Sequence, residues 1–177
     1  MSKNNRGGNL PIIGASEWVN IGNYHKIPAK TDTGAQSSAI WASHICVEKD
    51  GTLKFRLFDE GYYLYTGRVF KREAGRYKVG IIRSSNGEEQ IRYRVYLPIT
   101  IAGKKISALI SLTDRSSNNF PILIGRRTLS GKFIVNPRIQ NVKNLSVNTK
   151  NPATDTLNDI LLKDPYKFHQ KYVINSK

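Results

Sequence analysis

Between residues 12 and 137 nearly every patterned stretch repeats at period two. Gln90 to Ile101 shows the pattern: Ile91, Tyr93, Val95, Leu97 and Ile99 alternate with Arg92, Arg94, Tyr96 and Pro98. Leu53-Lys54-Phe55-Arg56-Leu57-Phe58 alternates apolar and basic residues in the same way. Successive side chains of a strand point to opposite faces, so such stretches predict half-buried strands. Further strands are expected over Ile12 to Ile21, Lys26 to Thr33, Ser38 to Val47, Ile106 to Leu112 and Lys132 to Val135, where Asn136-Pro137 ends the last one. Tyr62 to Ile82 is strand-like but strongly basic. Turn formers separate these runs at Gly22-Asn23, Lys49-Asp50-Gly51, Ser84-Ser85-Asn86-Gly87 and Ala102-Gly103-Lys104. One helical turn is expected at Arg126 to Leu129, after the apolar run Pro121-Ile122-Leu123-Ile124-Gly125. The predicted fold class is all-β, a closed barrel or sandwich with one short helix after the Ile-Leu-Ile-Gly run.

The patterned region sets the domain boundaries. Residues 1–11 are polar and Gly-rich and are expected to be a disordered tail. Residues 12–137 form the predicted domain. Residues 138–177 shift to Asn, Lys, Ser and Thr and are expected to be a basic polar extension, with an amphipathic helix from Thr154 to Lys163.

Composition narrows the setting. No apolar run approaches the roughly 20 residues of a membrane helix, so no membrane partner is expected. The first residues lack the apolar segment of a secretory signal, and Cys46 is the one cysteine, so the cytoplasm is the expected compartment. The formal charge is +15, from 28 Lys and Arg against 13 Asp and Glu. A charge of that size favours an anionic partner: nucleic acid, anionic lipid, or an acidic protein or peptide.

Chemistry concentrates at Ala29-Lys30-Thr31-Asp32-Thr33-Gly34-Ala35. Asp and Gly favour turns anyway, so an ordinary turn is one reading of this stretch. The other is a catalytic loop. A catalytic carboxylate belongs on a tight turn, fixed and reachable. Thr33 can hydrogen-bond to a neighbouring loop, and Gly34 lets a second copy of the loop approach closely. Asp32, Thr33 and Gly34 are therefore the candidate catalytic residues, with Ala35 beside the substrate.

This loop resembles that of the retropepsins, the retroviral type of aspartic protease. The marker Ile122-Leu123-Ile124-Gly125-Arg126-Arg127-Thr128-Leu129 resembles their apolar-apolar-Gly segment and the short helix after it. The resemblance covers about residues 12–137. It is closer to a bacterial family named ATP-dependent zinc proteases, retropepsin-like proteins often paired with ATP-grasp glutamate ligases. Its pattern is matched at Ala29 to Ala35, Ser84 to Gly87, Leu112 to Arg115, Pro121 to Arg126 and Phe133 to Pro137. Two positions depart from it: Ser116 where Asp is expected, and Trp41 near where His is common. The resemblance implies a retropepsin-like closed barrel, a hydrolase acting as an aspartic endopeptidase, and a flap hairpin around Ser84, Ser85, Asn86 and Gly87. One chain offers one such Asp, so the site is expected to form in a homodimer.

Neither half of that family's name fits the residues. Zinc proteases of the usual kind need two His one helical turn apart with a Glu between them, and His25, His44 and His169 lack that spacing. A mixed site such as His44 with Cys46 is a minor alternative, and no metal is expected. Gly125 to Lys132 is a near miss of a phosphate-binding loop, with five residues between its glycines and Phe133 in place of Ser or Thr. No cofactor is expected. The basic flanks of the flap, Arg83, Arg92 and Arg94, could hold acidic side chains by bidentate contacts. Asp114 and Arg115 are expected at the cleft wall, or paired with each other. The expected substrate is an acidic, Glu-rich peptide or protein, with glutamate-tail processing alongside a ligase partner. The alternative is a non-catalytic basic β-domain that binds nucleic acid or an acidic protein. No RNA-binding motif supports the nucleic-acid version, so that partner is not favoured.

Overall fold

A computed structural model describes residues 9–83 and 89–143. Its elements are β1 (Ile12–Ile21), β2 (Tyr24–Asp32), β3 (Ser38–Val47), β4 (Leu53–Leu57), β5 (Val69–Arg72), β6 (Tyr77–Arg83), β7 (Glu89–Ile101), β8 (Lys104–Thr113), β9 (Ile122–Gly125), α1 (Arg126–Leu129) and β10 (Ile134–Gln140). Six strands pair in the order β1-β2-β9-β3-β8-β7, and β7 returns to β1 through Val19↔Ile101 and Asn20↔Thr100. That last pairing closes a barrel. The all-β class and the short helix after Ile-Leu-Ile-Gly are both as the sequence predicts.

Alternation explains the barrel. Val95, Leu97, Ile99 and Ile101 of β7 are all at most 1% exposed, while Tyr96 between them is half exposed. Burying an Ile or Leu side chain stabilises by about 1.5–3 kcal/mol, so one such row fixes which way the strand faces. The β7–β8 register is set by a two-residue turn in which Ala102 and Gly103 both have positive φ, 46° and 75°. That geometry matches the twist of the flanking strands, and glycine adopts it without strain. The small sheet of β4 and β5 extends from β3 and packs aromatic residues together, with Phe55 stacked on Phe70 at 5.4 Å and Trp41 edge-on to Tyr62 at 5.0 Å.

Three local expectations are corrected. The basic stretch from Tyr62 to Ile82 is not one strand. A loop leads into β5, and a turn separates β5 from β6, with Arg76 N donating to Glu73 O at 3.0 Å and Gly75 at φ 80°. Ile91, expected on the core face, is 67% exposed. The outer half of the β6–β7 hairpin carries its alternation beyond the barrel, where no core covers it. Finally, the last strand does not stop at Asn136-Pro137 but runs to Gln140. β10 lies at the sheet edge beside β1, where the missing N–H of Pro137 is tolerated. Asn141 and Val142 then clasp β1: Asn141 Nδ2 donates to the buried Glu17 carboxylate at 2.7 Å, and Val142 N donates to Ser16 Oγ at 3.2 Å.

The flap tip, Ser84 to Gly87, and the expected helix from Thr154 to Lys163 lie outside the described residues. Among the described residues no helix is long and apolar enough to cross a membrane.

Candidate active site

Asp32 is the last residue of β2, paired with Gly125 at the end of β9. The chain then turns sharply, and the turn folds back on the carboxylate. Gly34 N and Ala35 N both donate to Asp32 Oδ1, at 3.0 and 3.1 Å. One oxygen is thereby held by the loop itself. The carboxylate stays partly exposed, and Thr33 and Gly34 are exposed. The loop therefore presents an acid that is oriented by backbone donors yet reachable from outside, which is what proton transfer to a substrate or water requires.

The segment after β9 braces this loop. Arg126 N donates to Ala35 O at 2.8 Å and Arg127 N to Gln36 O at 3.2 Å. Two buried hydroxyls, of Ser38 and Thr128, meet at 2.7 Å, and Ser38 Oγ also accepts from Gly125 N at 3.0 Å. The two motifs that lie some 90 residues apart in the chain thus form one hydrogen-bonded unit. Ser38 and Thr128 were missed as site residues, because only the folded chain brings the start of β3 and α1 together.

A cationic wall stands beside the acid. Register partners share a face of the sheet. Lys30↔Leu123, Leu123↔Ala39, Ala39↔Ser111, Ser111↔Arg94 and Arg94↔Lys78 carry one face from β2 across to β6. Asp32, two residues past Lys30 on the same strand, belongs to that face, as does Arg92, two residues before Arg94. Arg115 closes the arrangement from the loop after β8. Burial works against its charge, as does the neighbouring Arg92, while Asp32 favours it. Arg115 Nε donates to Phe120 O at 3.0 Å and Arg92 Nε to Gln90 Oε1 at 2.8 Å. The Nε of Arg94 and the hydroxyl of Ser111 are buried and have no hydrogen-bond partner. An unpaired buried donor costs on the order of 1–3 kcal/mol, so an acceptor brought to this pair of neighbours would relieve that cost.

The other predicted residues fall as follows. Asp114 is exposed and does not pair with Arg115; its Oδ1 accepts from Ser116 N at 2.8 Å in a local turn. Arg83 is opposite Glu89 at the outer end of the β6–β7 ladder. Ser84, Ser85, Asn86 and Gly87 lie outside the described residues. His44 Nδ1 is 3.1 Å from Ser43 Oγ and 3.9 Å from Asp59 Oδ1.

Residues 12–145 match the model of a family described as RimB-like, retropepsin-like aspartic endopeptidase RimB. The chain is 30% identical over 129 residues to a protein of Shewanella pealeana named probable alpha-L-glutamate ligase, covering 71% of this chain and 28% of that one. A protein of the same name from Desulfotalea psychrophila is 26% identical over 137 residues, covering 73% and 28%. The chain spans less than a third of the length of these relatives. Among solved structures, a Legionella pneumophila protein of unknown function superposes with a TM-score of 0.55 at 25% identity, over 73% of this chain and 95% of that one. With its Asp-Thr-Gly turn laced to the Ile-Leu-Ile-Gly segment inside a closed barrel, the chain belongs to the RimB-like family of retropepsin-like aspartic endopeptidases.

Proposed function

We propose that two copies of this chain form an aspartic peptidase whose dyad is the pair of Asp32 carboxylates. The observation that carries the proposal is the Asp32 turn: one oxygen held by Gly34 N and Ala35 N, the group partly open, and the loop locked from behind by α1. Two carboxylates about 3 Å apart cannot both ionise cheaply, so one of them keeps its proton. The ionised member takes a proton from water as the water oxygen attacks the peptide carbonyl carbon. The protonated member hydrogen-bonds the carbonyl oxygen. The C–N bond then breaks, and the departing nitrogen takes up a proton from the dyad. Thr33 braces the paired loops, and Gly34 allows their approach.

The substrate is an acidic, Glu-rich peptide or tail. The charge of +15 and the arginine wall beside Asp32 support this, and so does the ligase name of the relatives. We further propose an ATP-grasp glutamate ligase as working partner and the cytoplasm as compartment, the latter on the single Cys46.

The test compares wild type with Asp32→Asn on a Glu-rich peptide and a Gln-for-Glu counterpart, with sedimentation run on the same samples. The expected result is cleavage of the Glu peptide by a dimer and none by Asp32→Asn. Normal cleavage by Asp32→Asn would sink the aspartic mechanism.

A further inference from the structure

We infer that Arg92, Arg94, Arg115 and Ser111 form a carboxylate-binding subsite on the same sheet face as Asp32. This deepens the peptidase reading and rests on it for the direction in which the peptide lies. The unfinished chemistry is local. Arg94 and Ser111 are register partners on β7 and β8, and the buried Nε of one and hydroxyl of the other lack acceptors. Both are donors that a carboxylate oxygen satisfies. Arg92 lies two residues from Arg94 on the same face, and Arg115 feels the charges of both Arg92 and Asp32. Among the described residues, the ion pairs Lys54–Glu48 and His44–Asp59 lie elsewhere. Three guanidinium groups around buried donors make a site for an anion.

Gly80 shows that room is kept for this arrangement. The Arg94 guanidinium lies across it, and a Cβ on Gly80 would come within 2.9 Å of Arg94 Nη2. Glycine there allows the guanidinium to lie flat on β6 beside the Gly80↔Arg92 pair. The subsite shares its sheet face with the Asp32 turn, so on the peptidase reading its ligand is a peptide rather than a nucleic acid. The recognised carboxylate has two possible sources in a peptide: a glutamate side chain, or the free end of the chain.

Binding to the full-length Asp32→Asn protein tests the subsite without catalysis. The probes are a fluorescein-labelled tetraglutamate peptide, its C-terminally amidated form, tetraglutamine, and an oligothymidylate strand, read by anisotropy at one salt concentration. Arg94→Ala and Arg115→Ala should each weaken tetraglutamate binding about 10-fold or more, the scale of a lost charge-assisted hydrogen bond. Gly80→Ala, which keeps every charge, should weaken it several-fold. Arg138→Ala, on exposed β10, should change it less than about 2-fold if the effect is local rather than general. A drop on amidation assigns the chain end, and a drop with tetraglutamine assigns the side chain; either supports the subsite. Equal losses from Arg138→Ala and Arg94→Ala, equal binding of tetraglutamine and tetraglutamate with no effect of amidation, or preference for the oligothymidylate would each overturn it. If discrimination holds while wild type cuts none of the peptides, the subsite stands and the peptidase reading fails.

Discussion

Gly125 sits so close to Ser37 that a Cβ on the glycine would lie 2.6 Å from both the carbonyl carbon and oxygen of Ser37. These are backbone atoms and cannot swing aside. The residue after Ile-Leu-Ile is therefore glycine because the loop that follows Asp32 runs across it. Gly125→Ala should lower stability by about 1–3 kcal/mol, the usual cost of overpacking. It should reduce activity more than stability, since the displaced segment is the one that carries Asp32. Urea midpoints and cleavage rates on the same preparation check both.

Subunit mixing tests where the dyad comes from. With equal amounts of wild type and Asp32→Asn exchanged to equilibrium, random pairing leaves activity per wild-type chain at about half. A site contained in one chain would leave that activity unchanged. The measurement is a titration of a fixed amount of wild type with increasing variant.

Glu17 is 4% exposed, and its Oε1 accepts from Gly14 N at 2.6 Å and from Asn141 Nδ2 at 2.7 Å. Glu17→Leu would strand two donors and should destabilise by about 1–3 kcal/mol, with Glu17→Gln milder because it keeps an acceptor. Thermal melts of the two variants against wild type decide this, and equal melting temperatures would show that water replaces the carboxylate at no cost.

Alkaline stability should depend on Tyr62. Burial, and then the neighbouring Tyr63, push its hydroxyl above the usual value of 10.0. The unfolded chain therefore releases this proton first as pH rises. The stabilisation is fully present at neutral pH and fades once pH climbs past about 10. Tyr62→Phe should flatten that alkaline decline, seen as a smaller fall in melting temperature between about pH 9.5 and 11.

The barrel was legible because Val95, Leu97, Ile99 and Ile101 alternate over a real core, and the turn at Asp32 was legible because its turn-forming residues are adjacent in the chain. Ile91 was misjudged because period two reports which face a residue takes, not whether anything covers that face. The turn at Glu73 to Arg76 was hidden by charged neighbours that mask Gly75. Ser111 and the Ser38–Thr128 pair were not legible. Each joins residues 17 to 90 positions apart, and only strand order brings such partners together.

The β1–β10 pairing has a mechanical consequence. The two strands are parallel, with Ile12 beside Ile134. Force applied outward at the start of β1 and the end of β10 slides one strand along the other. The ladder bonds between them are then strained together instead of breaking in sequence, as they would in a hairpin peeled from its open end. Pulled through its two terminal strands, the barrel should resist as a shear clamp.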